Sequence, residues 1–275
     1  MTIKQLQEKA ITQLNQSEVE EASLKTRLVL SHVLNVSKEY LVVHFDEEID
    51  IAKELAFWNA IDKLKNNVPL EYITHKKEFM KLDFYVDENV LIPRPDTEIL
   101  VEEVIKRIKT GDILDLCTGS GAIAISLAKY LKGANVTASD ISEGALNVAR
   151  TNAKKNEVDI TFIKSDLFES LQNKKFDVIV SNPPYIETNT IKTLNKDVQQ
   201  EPIIALDGGL DGLDFYKRII ANALYYLKPK GLLALEIGYN QADAVLELLK
   251  KQEKYLNIEI IKDLNQNNRV ILARC

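Results

Sequence analysis

Residues 176–186 read Phe-Asp-Val-Ile-Val-Ser-Asn-Pro-Pro-Tyr-Ile, and the interpretation of the whole chain starts from this stretch. Its first five residues form a short apolar, β-branched run, which predicts a buried parallel strand. An amide, two prolines and an aromatic ring follow where that strand ends. Open α/β sheets bind their ligands at the carboxyl ends of their strands. The stretch therefore predicts a strand of a parallel sheet with a binding turn at its end.

The turn, residues 182–185, offers groups that suit a planar NH2 group. Asn182 contributes a side-chain carbonyl, and Pro183 stiffens the turn while keeping a backbone carbonyl that can accept a hydrogen bond. Tyr185 adds a flat apolar wall. Two acceptors beside an aromatic face suit a side-chain amide or the exocyclic amine of a base. The alternative is a proline-rich turn that only closes the strand.

A second candidate site lies earlier in the chain, where residues 113–124 read Ile-Leu-Asp-Leu-Cys-Thr-Gly-Ser-Gly-Ala-Ile-Ala. The order of strand, glycine turn and helix start predicts a nucleotide-binding loop, because glycines let the backbone approach a ligand closely. Asp140 ends the next predicted strand, 21 residues after Gly119, where it can accept hydrogen bonds from ribose hydroxyls. Gly119, Gly121 and Ala124 also fit the dinucleotide fingerprint. The loop alone therefore does not separate nicotinamide cofactors from S-adenosylmethionine.

Three features favour S-adenosylmethionine over a nicotinamide cofactor. The turn at 182–185 has no role in hydride transfer, but it suits methyl transfer to a planar nitrogen. Asp115 is an acid at the end of an apolar strand, which suits contact with the amino group of the cofactor better than contact with a pyrophosphate. The third feature, an antiparallel hairpin predicted at the end of the sheet, is an analogy of fold and a weaker argument than the site itself.

From residue 112 onward, predicted strands alternate with predicted helices. This alternation predicts an α/β fold with a doubly wound, mostly parallel sheet of seven strands. The predicted strands are 112–116, 134–139, 158–164, 176–181, 231–237, 257–263 and 269–274, and the predicted helices are 120–131, 143–155, 214–227 and 240–251. The last two strands are too close in sequence for a helical crossover, so we expect a C-terminal antiparallel hairpin. The aperiodic segment 187–213 is predicted to be irregular and either functional or disordered.

The N-terminal part of the chain has a different composition. Residues 1–68 contain no proline and the first glycine is Gly111, so this part is predicted to form helices, with Ser17, Ser37 and Asp50 as candidate caps. Residues 1–75 carry eight Lys/Arg against twelve Asp/Glu. An acidic helical domain favours docking of a protein; the alternative is a helical cap that covers the sheet. Short strands with turns are predicted between about 69 and 92.

These patterns divide the chain into three predicted parts: a helical substrate-docking domain at 1–75, a β-hairpin linker at 76–92, and a catalytic α/β domain at 93–275. The net charge of −6 and the pI near 5.3 argue against binding along a phosphate backbone, although a local basic patch would be enough for such binding. Cys117 and Cys275 lie far apart, which favours a reducing compartment. No apolar run approaches the ~20 residues that span a bilayer. We therefore expect a soluble, cytoplasmic protein with no membrane partner.

Several segments of the chain occur together in one enzyme family. They are 69–73 (Pro-Leu-Glu-Tyr-Ile), 91–98 (Leu-Ile-Pro-Arg-Pro-Asp-Thr-Glu), 115–124, 182–186, 201–202 (Glu-Pro), 208–214 and 236–238 (Glu-Ile-Gly). By these motifs the chain resembles the release-factor glutamine methyltransferases over nearly its whole length. The Asn-Pro-Pro-Tyr turn is shared with several amine and amide methyltransferases, whereas the Ile-Pro-Arg-Pro segment together with the helical domain is more specific.

The chain departs from the family pattern at two positions. Cys117 stands where the family usually has glycine, and Asp96 stands where it usually has glutamate. If position 117 needs a positive φ, a cysteine there costs about 1–2 kcal/mol, and we expect cofactor binding to survive. Asp96 keeps a carboxylate with a shorter reach, so we assign it no catalytic role.

The resemblance implies a cofactor, a substrate and a set of site residues. The cofactor is S-adenosylmethionine, and no metal is implied. The partners are peptide chain release factors, methylated on the side-chain amide nitrogen of the glutamine in their Gly-Gly-Gln motif, and the enzyme is expected to be a monomer. The implied cofactor-binding residues are Cys117, Thr118, Gly119, Ser120, Gly121, Asp140, Phe168 and Asn182, with Phe168 packing on the adenine; Asn182, Pro183 and Tyr185 are catalytic, and these three with Pro184 bind the substrate. An ordinary core position is the alternative for Phe168.

Three other functions stay open at the level of the sequence. The same turn could methylate an exocyclic amine of DNA or RNA after base flipping, although the acidic N-terminal domain argues against a basic groove. A nicotinamide-dependent oxidoreductase and a non-catalytic translation-factor adaptor are less favoured.

Overall fold

The computed structural model describes residues 1–275, which form two compact units. The first unit consists of residues 1–75 with 195–200, and the second consists of residues 76–194 with 201–275. No helix of either unit is long and apolar enough to cross a membrane.

The first unit is helical, as its composition predicts. Its helices are α1 (Ile3–Gln16), α2 (Ala22–Leu34), α3 (Lys38–Val43), α4 (Ile51–Lys65) and α5 (Leu70–Thr74). Thr2 closes a capping box at the start of α1, and Ser37 and Asp50 cap α3 and α4 by accepting a backbone N–H. Ser17 instead follows the last residue of α1. Apolar side chains from α1, α2 and α4 pack into one core cluster.

The prediction of short strands from about residue 69 is wrong at its start, because residues 70–74 form α5. Pro69 precedes this helix with φ −55°, an angle that proline sets and that suits a helix start. Leu70 and Ile73, three residues apart, both pack against the helical core. The short run therefore has one helical face to bury, and tertiary packing outweighs its strand-like composition.

The second unit begins with a two-stranded hairpin, β1 (Lys77–Phe79) and β2 (Leu82–Phe84). Met80 and Lys81 connect the strands with φ of 50° and 58°. Two consecutive positive φ values are typical of the tight turn that matches the twist of a hairpin. Phe79 and Phe84 are buried against the main core of this unit.

The second unit is built on a seven-stranded sheet, which confirms the predicted fold class. Its elements are α6 (Pro95–Arg107), β3 (Gly111–Leu116), α7 (Ala122–Tyr130), β4 (Ala134–Asp140), α8 (Glu143–Lys155), β5 (Thr161–Lys164), β6 (Phe176–Ser181), α9 (Asp214–Tyr226), β7 (Leu227–Glu236), α10 (Ala242–Lys251), β8 (Leu256–Lys262) and β9 (Asn268–Arg274). The strand order is β5-β4-β3-β6-β7-β9-β8. Strand β9 runs antiparallel to both of its neighbours, β7 and β8, so the predicted C-terminal antiparallel hairpin is confirmed.

Side chains alternate between the two faces of the sheet. Ile113 and Val178 contribute to a core cluster shared with α6 and α7, whereas Leu114 and Ile179 contribute to a second cluster shared with α9 and α10. This alternation follows from the two-residue period of a strand. Helices therefore cover both faces, as expected of a doubly wound sheet.

The sheet reverses its strand order between β3 and β6, which are parallel neighbours. Connections from such a pair leave in opposite directions and open a crevice at the carboxyl ends of the two strands. The glycine loop follows β3 and the Asn-Pro-Pro-Tyr turn follows β6. The two motifs singled out in the sequence therefore lie at the same edge of the sheet.

Candidate active site

An open cleft lies at the carboxyl ends of the central strands. Side chains and backbone from the glycine loop, from the ends of β4, β5 and β6 and from the start of α6 line it. Its walls include Arg94, Thr97, Cys117, Thr118, Gly119, Ser120, Asp140, Ile141, Leu167, Asn182 and Pro184. Most of the predicted cofactor-binding residues are therefore in one cleft; Gly121, Phe168, Pro183 and Tyr185 are not among the residues that line it.

The two glycines of the loop, Gly119 and Gly121, are required for different structural reasons. Gly119 has φ +53°, and a Cβ built there would meet no atom within 4 Å, so a side chain would enter the open cleft. Gly121 has φ +81°, and a Cβ there would lie 2.9 Å from Ile125 Cδ1 and 3.1 Å from Ala149 Cβ. Gly119 therefore leaves room for a ligand, whereas Gly121 allows α7 and α8 to pack closely.

Cys117 occupies the left-handed region with φ 59°. The positive φ expected at this position is thus present, and the cysteine carries the strain that a glycine would avoid. Its side chain is half-buried and packs against the second core cluster. Burial, with the nearby carboxylates of Asp140 and Asp115, raises the pKa of the Cys117 thiol. The thiol therefore stays protonated and is a poor nucleophile.

Asp140 lines the cleft at the end of β4 and holds the loop in place. Its Oδ2 accepts the N–H of Gly119 at 2.9 Å and its Oδ1 accepts the N–H of Ser142 at 2.9 Å. A carboxylate oxygen has two lone pairs, so each oxygen can accept a further hydrogen bond from a ligand. Burial raises the pKa of Asp140, while the backbone N–H groups of Ser142 and Gly119 oppose that shift. This geometry suits recognition of a vicinal pair of hydroxyls.

Asp115 is inside the protein, in contrast to the cofactor contact that the sequence suggested. Its Oδ2 accepts the hydroxyl of Thr118 at 2.5 Å and the N–H of Ala124 at 3.2 Å, and it does not line the cleft. Burial raises the pKa of Asp115 to about 7, against the opposing effect of these two hydrogen bonds. Asp115 therefore braces the glycine loop against the first turn of α7 instead of touching the ligand.

Phe168 also lies in the core and not at the cleft. Its ring is 5% exposed and stacks on Tyr226 with ring centroids 4.6 Å apart. The preceding residue, Leu167, has φ 49° and lines the cleft. Leu167 and Ile141 are apolar residues that line the same cleft as Asp140. For position 168 the geometry favours the alternative of an ordinary core aromatic.

The Asn-Pro-Pro-Tyr turn contributes Asn182 and Pro184 to the cleft. Asn182 lines the cleft and donates a hydrogen bond from Nδ2 to Thr97 Oγ1 at 3.2 Å. This leaves Oδ1 as the acceptor that Asn182 can offer to a ligand. Tyr185 donates its hydroxyl to Glu236 Oε1 at 3.4 Å, and burial, then the negative charge of Glu236, raises the pKa of that phenol. The phenol therefore stays protonated at neutral pH.

Residues far away in the sequence support the turn. A Cβ at Gly208 would lie 2.7 Å from Tyr185 Cα, and one at Gly212 would lie 2.5 Å from the Tyr185 carbonyl oxygen. Gln241 donates from Nε2 to that carbonyl at 2.9 Å. Residue Ile186 also forms a parallel bridge with Asp207. Gly208 and Gly212 are therefore required by close packing on the turn, and this packing orders part of the segment predicted to be irregular.

Arg94 explains why two distant motifs accompany the turn. It lines the cleft and forms an ion pair with the buried carboxylate of Glu201. The other oxygen of Glu201 accepts the N–H of Ile92 at 3.0 Å. The Ile-Pro-Arg-Pro and Glu-Pro segments therefore hold each other at the rim of the cleft. Thr97 and Gln241 were not singled out from the sequence; Thr97 lies inside the quoted 91–98 motif, whereas nothing in the sequence marks Gln241.

Comparison with known proteins places both units in described families. Residues 94–201 match the family model "Methyltransferase small domain", and residues 5–74 match "PrmC N-terminal domain". A methyltransferase structure from Pyrococcus furiosus shares the fold, with a TM-score of 0.56 at 20% identity, covering 72% of this chain and 91% of that one.

Two curated relatives match the chain from end to end. The release factor glutamine methyltransferase of Moorella thermoacetica is 42% identical, with 99% of this chain and 98% of the relative covered. The enzyme of the same name from Clostridium acetobutylicum is also 42% identical, again over 99% of this chain and 98% of the relative. The aligned region covers nearly the full length of this chain and of each relative, so it includes the cleft and the helical unit. The chain belongs to the release factor glutamine methyltransferase family.

Proposed function

We propose that this enzyme transfers a methyl group from S-adenosylmethionine to the side-chain amide nitrogen of the glutamine in the Gly-Gly-Gln motif of peptide chain release factors. The chain is a methyltransferase by its family, and S-adenosylmethionine is its cofactor. The observation that carries the proposal is the position of Asn182. Its acceptor oxygen and the glycine loop face one cleft from neighbouring strands.

The cleft fits S-adenosylmethionine on its own geometry. Gly119 leaves open space where the loop can approach the cofactor closely, and Asp140 offers acceptors for ribose hydroxyls. Leu167 and Ile141 provide apolar contact for the adenine. The predicted roles of Cys117, Thr118 and Ser120 rest on their place in the same wall.

An amide nitrogen needs help to act as a nucleophile because its lone pair is delocalised into the carbonyl. S-adenosylmethionine supplies an electrophilic methyl group on a sulfonium; the nitrogen forms the new N–C bond, the C–S bond breaks, and the sulfur keeps the electron pair. Asn182 Oδ1 and the Pro183 carbonyl would accept the two N–H groups of the glutamine. These bonds strengthen as the nitrogen gains positive character, so they stabilise the transition state more than the bound substrate.

The proposed reaction needs no general base among the residues of the turn. The nitrogen carries an extra proton after methylation, and that proton is acidic enough to leave to water. Tyr185 stays a protonated phenol and its hydroxyl is directed to Glu236, so it is not placed to take the proton. Pro184 and Tyr185 would instead hold the plane of the amide in line with the methyl group, and positioning of this kind can supply several kcal/mol.

The helical domain is proposed to dock the protein substrate, with residues 76–92 as linker and 93–275 as the catalytic part. On α4, Ile51 and Leu55 lie on one face, four residues apart, and are 85% and 62% exposed. Replacing both by lysine should raise KM for intact release factor several-fold. A short peptide with the Gly-Gly-Gln motif should show unchanged kinetics; an equal loss on the peptide would contradict docking.

A single chain supplies every residue of the proposed site, so we propose that one copy acts alone, in the cytoplasm where release factors work. The test offers labelled cofactor to release factor, to the same factor with its target glutamine changed to glutamate, to DNA and to ribosomal RNA. Label is expected only on the unmodified factor. Label on either nucleic acid alone would favour the base-amine alternative, and label on the glutamate variant would exclude the target amide.

A further inference from the structure

The side chain of Gln241 joins the catalytic turn to two other loops. Gln241 directly precedes α10 and is 8% exposed. Its Nε2 donates to the Tyr185 carbonyl at 2.9 Å and to the Gly212 carbonyl at 3.2 Å, and its Oε1 accepts the N–H of Gly238 at 3.0 Å. One buried amide therefore ties the Asn-Pro-Pro-Tyr turn to two segments that lie far from it in the sequence.

The partners of Gln241 fix the orientation of its amide. A backbone carbonyl can only accept a hydrogen bond, and a backbone N–H can only donate one. The NH2 must therefore face the carbonyls of Tyr185 and Gly212, and the oxygen must face the N–H of Gly238. A flipped amide would lose every one of these bonds, so the side chain has a single arrangement.

Two glycines leave the space that the Gln241 amide occupies. A Cβ built at Gly212 would lie 2.7 Å from Gln241 Nε2, and one built at Gly238 would lie 2.7 Å from Gln241 Oε1. Both distances are below the ~3.5–4.0 Å of an ordinary contact between heavy atoms. The backbone on both sides is therefore fitted to this amide, which the start of a helix alone would not require.

The prolines make the catalytic turn stiff between its two ends. The rings of Pro183 and Pro184 fix φ, and each proline restricts the residue before it to extended conformations. The amino end of the turn continues from Ser181, which is paired with both neighbouring strands. At the carboxyl end, Gln241 holds the carbonyl of Tyr185. A stiff segment that is held at both ends has its middle fixed, and the middle carries the Pro183 carbonyl.

We propose that Gln241 is a positioning residue, which holds the Tyr185 carbonyl and thereby keeps the two acceptors of the turn aimed at the substrate amide. The inference rests on the proposed function, because those acceptors, Asn182 Oδ1 and the Pro183 carbonyl, are the groups assigned to the glutamine nitrogen. Gln241 does not line the cleft, so it acts through the turn and not on the substrate. Without its two donor bonds the turn shifts at its carboxyl end, and the amide loses the alignment that methyl transfer needs.

The experiment compares Gln241→Glu and Gln241→Met with the control Gln172→Glu in the full-length enzyme. Glutamate keeps the size and the oxygen that accepts from Gly238 but loses both donors, whereas methionine loses all of these bonds. Gln172 is exposed in the loop before β6, so it controls for the added charge. For each enzyme kcat and KM for the release factor are measured. Calorimetry with S-adenosylmethionine gives Kd and the fraction of folded sites, to which kcat is normalised.

We expect both Gln241 variants to lower kcat by at least about tenfold while Kd for the cofactor stays within about twofold. Gln172→Glu should match the parent enzyme. A parent-like Gln241→Glu would overturn the proposal, because the bond to Gly238 alone would then be enough. So would a rise in KM at unchanged kcat, which would indicate docking, or a loss of cofactor affinity equal to the loss in kcat, which would indicate a general disturbance of the cleft.

Gly212→Ala disturbs the same contact from the other side and supplies a second test if the Gln241 variants fail to fold. Its Cβ would lie 2.5 Å from the Tyr185 carbonyl oxygen and 2.7 Å from Gln241 Nε2. Gly133→Ala is the matched control, because Gly133 also has a positive φ, +92° against +68°, but its Cβ would meet only Thr110 Cγ2 at 3.8 Å. Gly212→Ala should lower kcat at retained cofactor affinity, and Gly133→Ala should not; equal kcat values in the two would overturn the proposal.

The double variant Gln241→Glu/Gly212→Ala should lose little more activity than either single variant, since both changes act on the Tyr185 carbonyl. Losses that multiply would show that the two positions act separately and would overturn the proposal. Failure of the parent enzyme to label release factor would reject the proposed function itself. An active parent with an unchanged kcat in Gln241→Glu would reject only the positioning role.

Discussion

The glycine loop and the Asn-Pro-Pro-Tyr turn lie on neighbouring strands, yet their polar groups are used in opposite ways. In the loop, Asp115 and Asp140 each accept two hydrogen bonds from the protein itself. In the turn, Asn182 donates one hydrogen bond to Thr97 and keeps its acceptor oxygen for the cleft. The hydrogen bonds that hold the loop are therefore formed before the cofactor binds, whereas the turn keeps the Asn182 side-chain oxygen for the substrate.

This difference separates binding from catalysis. A change in the loop should alter cofactor affinity or the stability of the fold, and a change in the turn should alter the rate of methyl transfer. Preformed hydrogen bonds cost nothing when the cofactor arrives, and a reserved acceptor makes its strongest bond only as the nitrogen becomes positive. Each variant below affects one side of this comparison.

The largest effect is expected for Asn182→Ala, which removes the reserved acceptor. The rate constant kcat should fall about 10²-fold or more, because a transition-state hydrogen bond is lost. Cofactor affinity should change far less. Asn182→Asp should lose less activity, since a carboxylate can still accept an N–H. Steady-state kinetics on the release factor, with calorimetry for the cofactor, measure both quantities.

Asn147→Ala is the matched control for this test, since Asn147 is exposed on α8. The loss at position 182 should depend on the protein glutamine, so the substrate with glutamate in its place should accept no methyl from any of these enzymes. An Asn182→Ala enzyme that keeps more than about half of the parent kcat would make the turn a structural element.

The opposite result, a loss of cofactor affinity with little change in kcat, is expected for Asp140→Ala. Loss of a charged acceptor should weaken S-adenosylmethionine binding by about 1.5–3 kcal/mol, whereas kcat at saturating cofactor should change little. Asp159→Ala, an exposed carboxylate in the loop after α8, is the control. A fall in kcat with unchanged cofactor affinity would contradict the assignment of cofactor binding to the loop and of catalysis to the turn.

The sequence predicts the sheet well because its signals are local. The limits of β6 and α8 agree with the predicted 176–181 and 143–155, since a β-branched run marks the strand and Ser142 caps the helix. Strand β7 begins at Leu227, earlier than the predicted 231. Pro229 and Gly231 suggested a break there, but pairing with β6 continues from Phe176 across an irregular register.

The site is less predictable because it depends on backbone conformation and on distant packing. Leu167, and not Phe168, lines the cleft, and Leu167 has a left-handed φ that no residue propensity predicts for leucine. Thr97 meets Asn182 because α6 packs against β7 and β9, which lie far from α6 in the sequence. Asp115 could have been assigned correctly, since the strand period puts it on the same face as Ile113, toward α7.

Asp115→Asn should affect stability and not the reaction. The folded state holds the pKa of Asp115 near 7, above its usual value of 3.8. Between pH 4 and 7 the folded protein therefore keeps a proton that the unfolded chain has lost, so the free energy of unfolding falls as pH rises through this window, by at most about 1.4 kcal/mol per pH unit for one group. Asparagine cannot ionise, yet its Oδ1 can accept from Thr118 and Ala124 as Oδ2 does now.

Urea denaturation at pH 5, 6, 7 and 8 measures this slope. The parent enzyme should lose stability with rising pH, and Asp115→Asn should lose less, because Glu236 with its pKa of about 7 still contributes in the same direction. The exposed Asp159→Asn should keep the parent slope. An unchanged slope in Asp115→Asn would mean that Asp115 is ionised throughout, and its hydrogen bonds from Thr118 and Ala124 would then stabilise a buried carboxylate.

The smallest effect concerns Cys117, where the loop carries strain that it could avoid. Both Cys117→Ala and Cys117→Gly remove the sulfur and its contact with the second core cluster, but only glycine also removes the Cβ that opposes φ 59°. The glycine variant should therefore be more stable than the alanine variant by about 1 kcal/mol, and cofactor affinity should be similar in both. Comparison of the two variants with each other cancels the lost sulfur contact. If alanine proves the more stable of the two, the backbone at 117 is not held in the left-handed region, and the loop is less rigid than its hydrogen bonds to Asp115 and Asp140 imply.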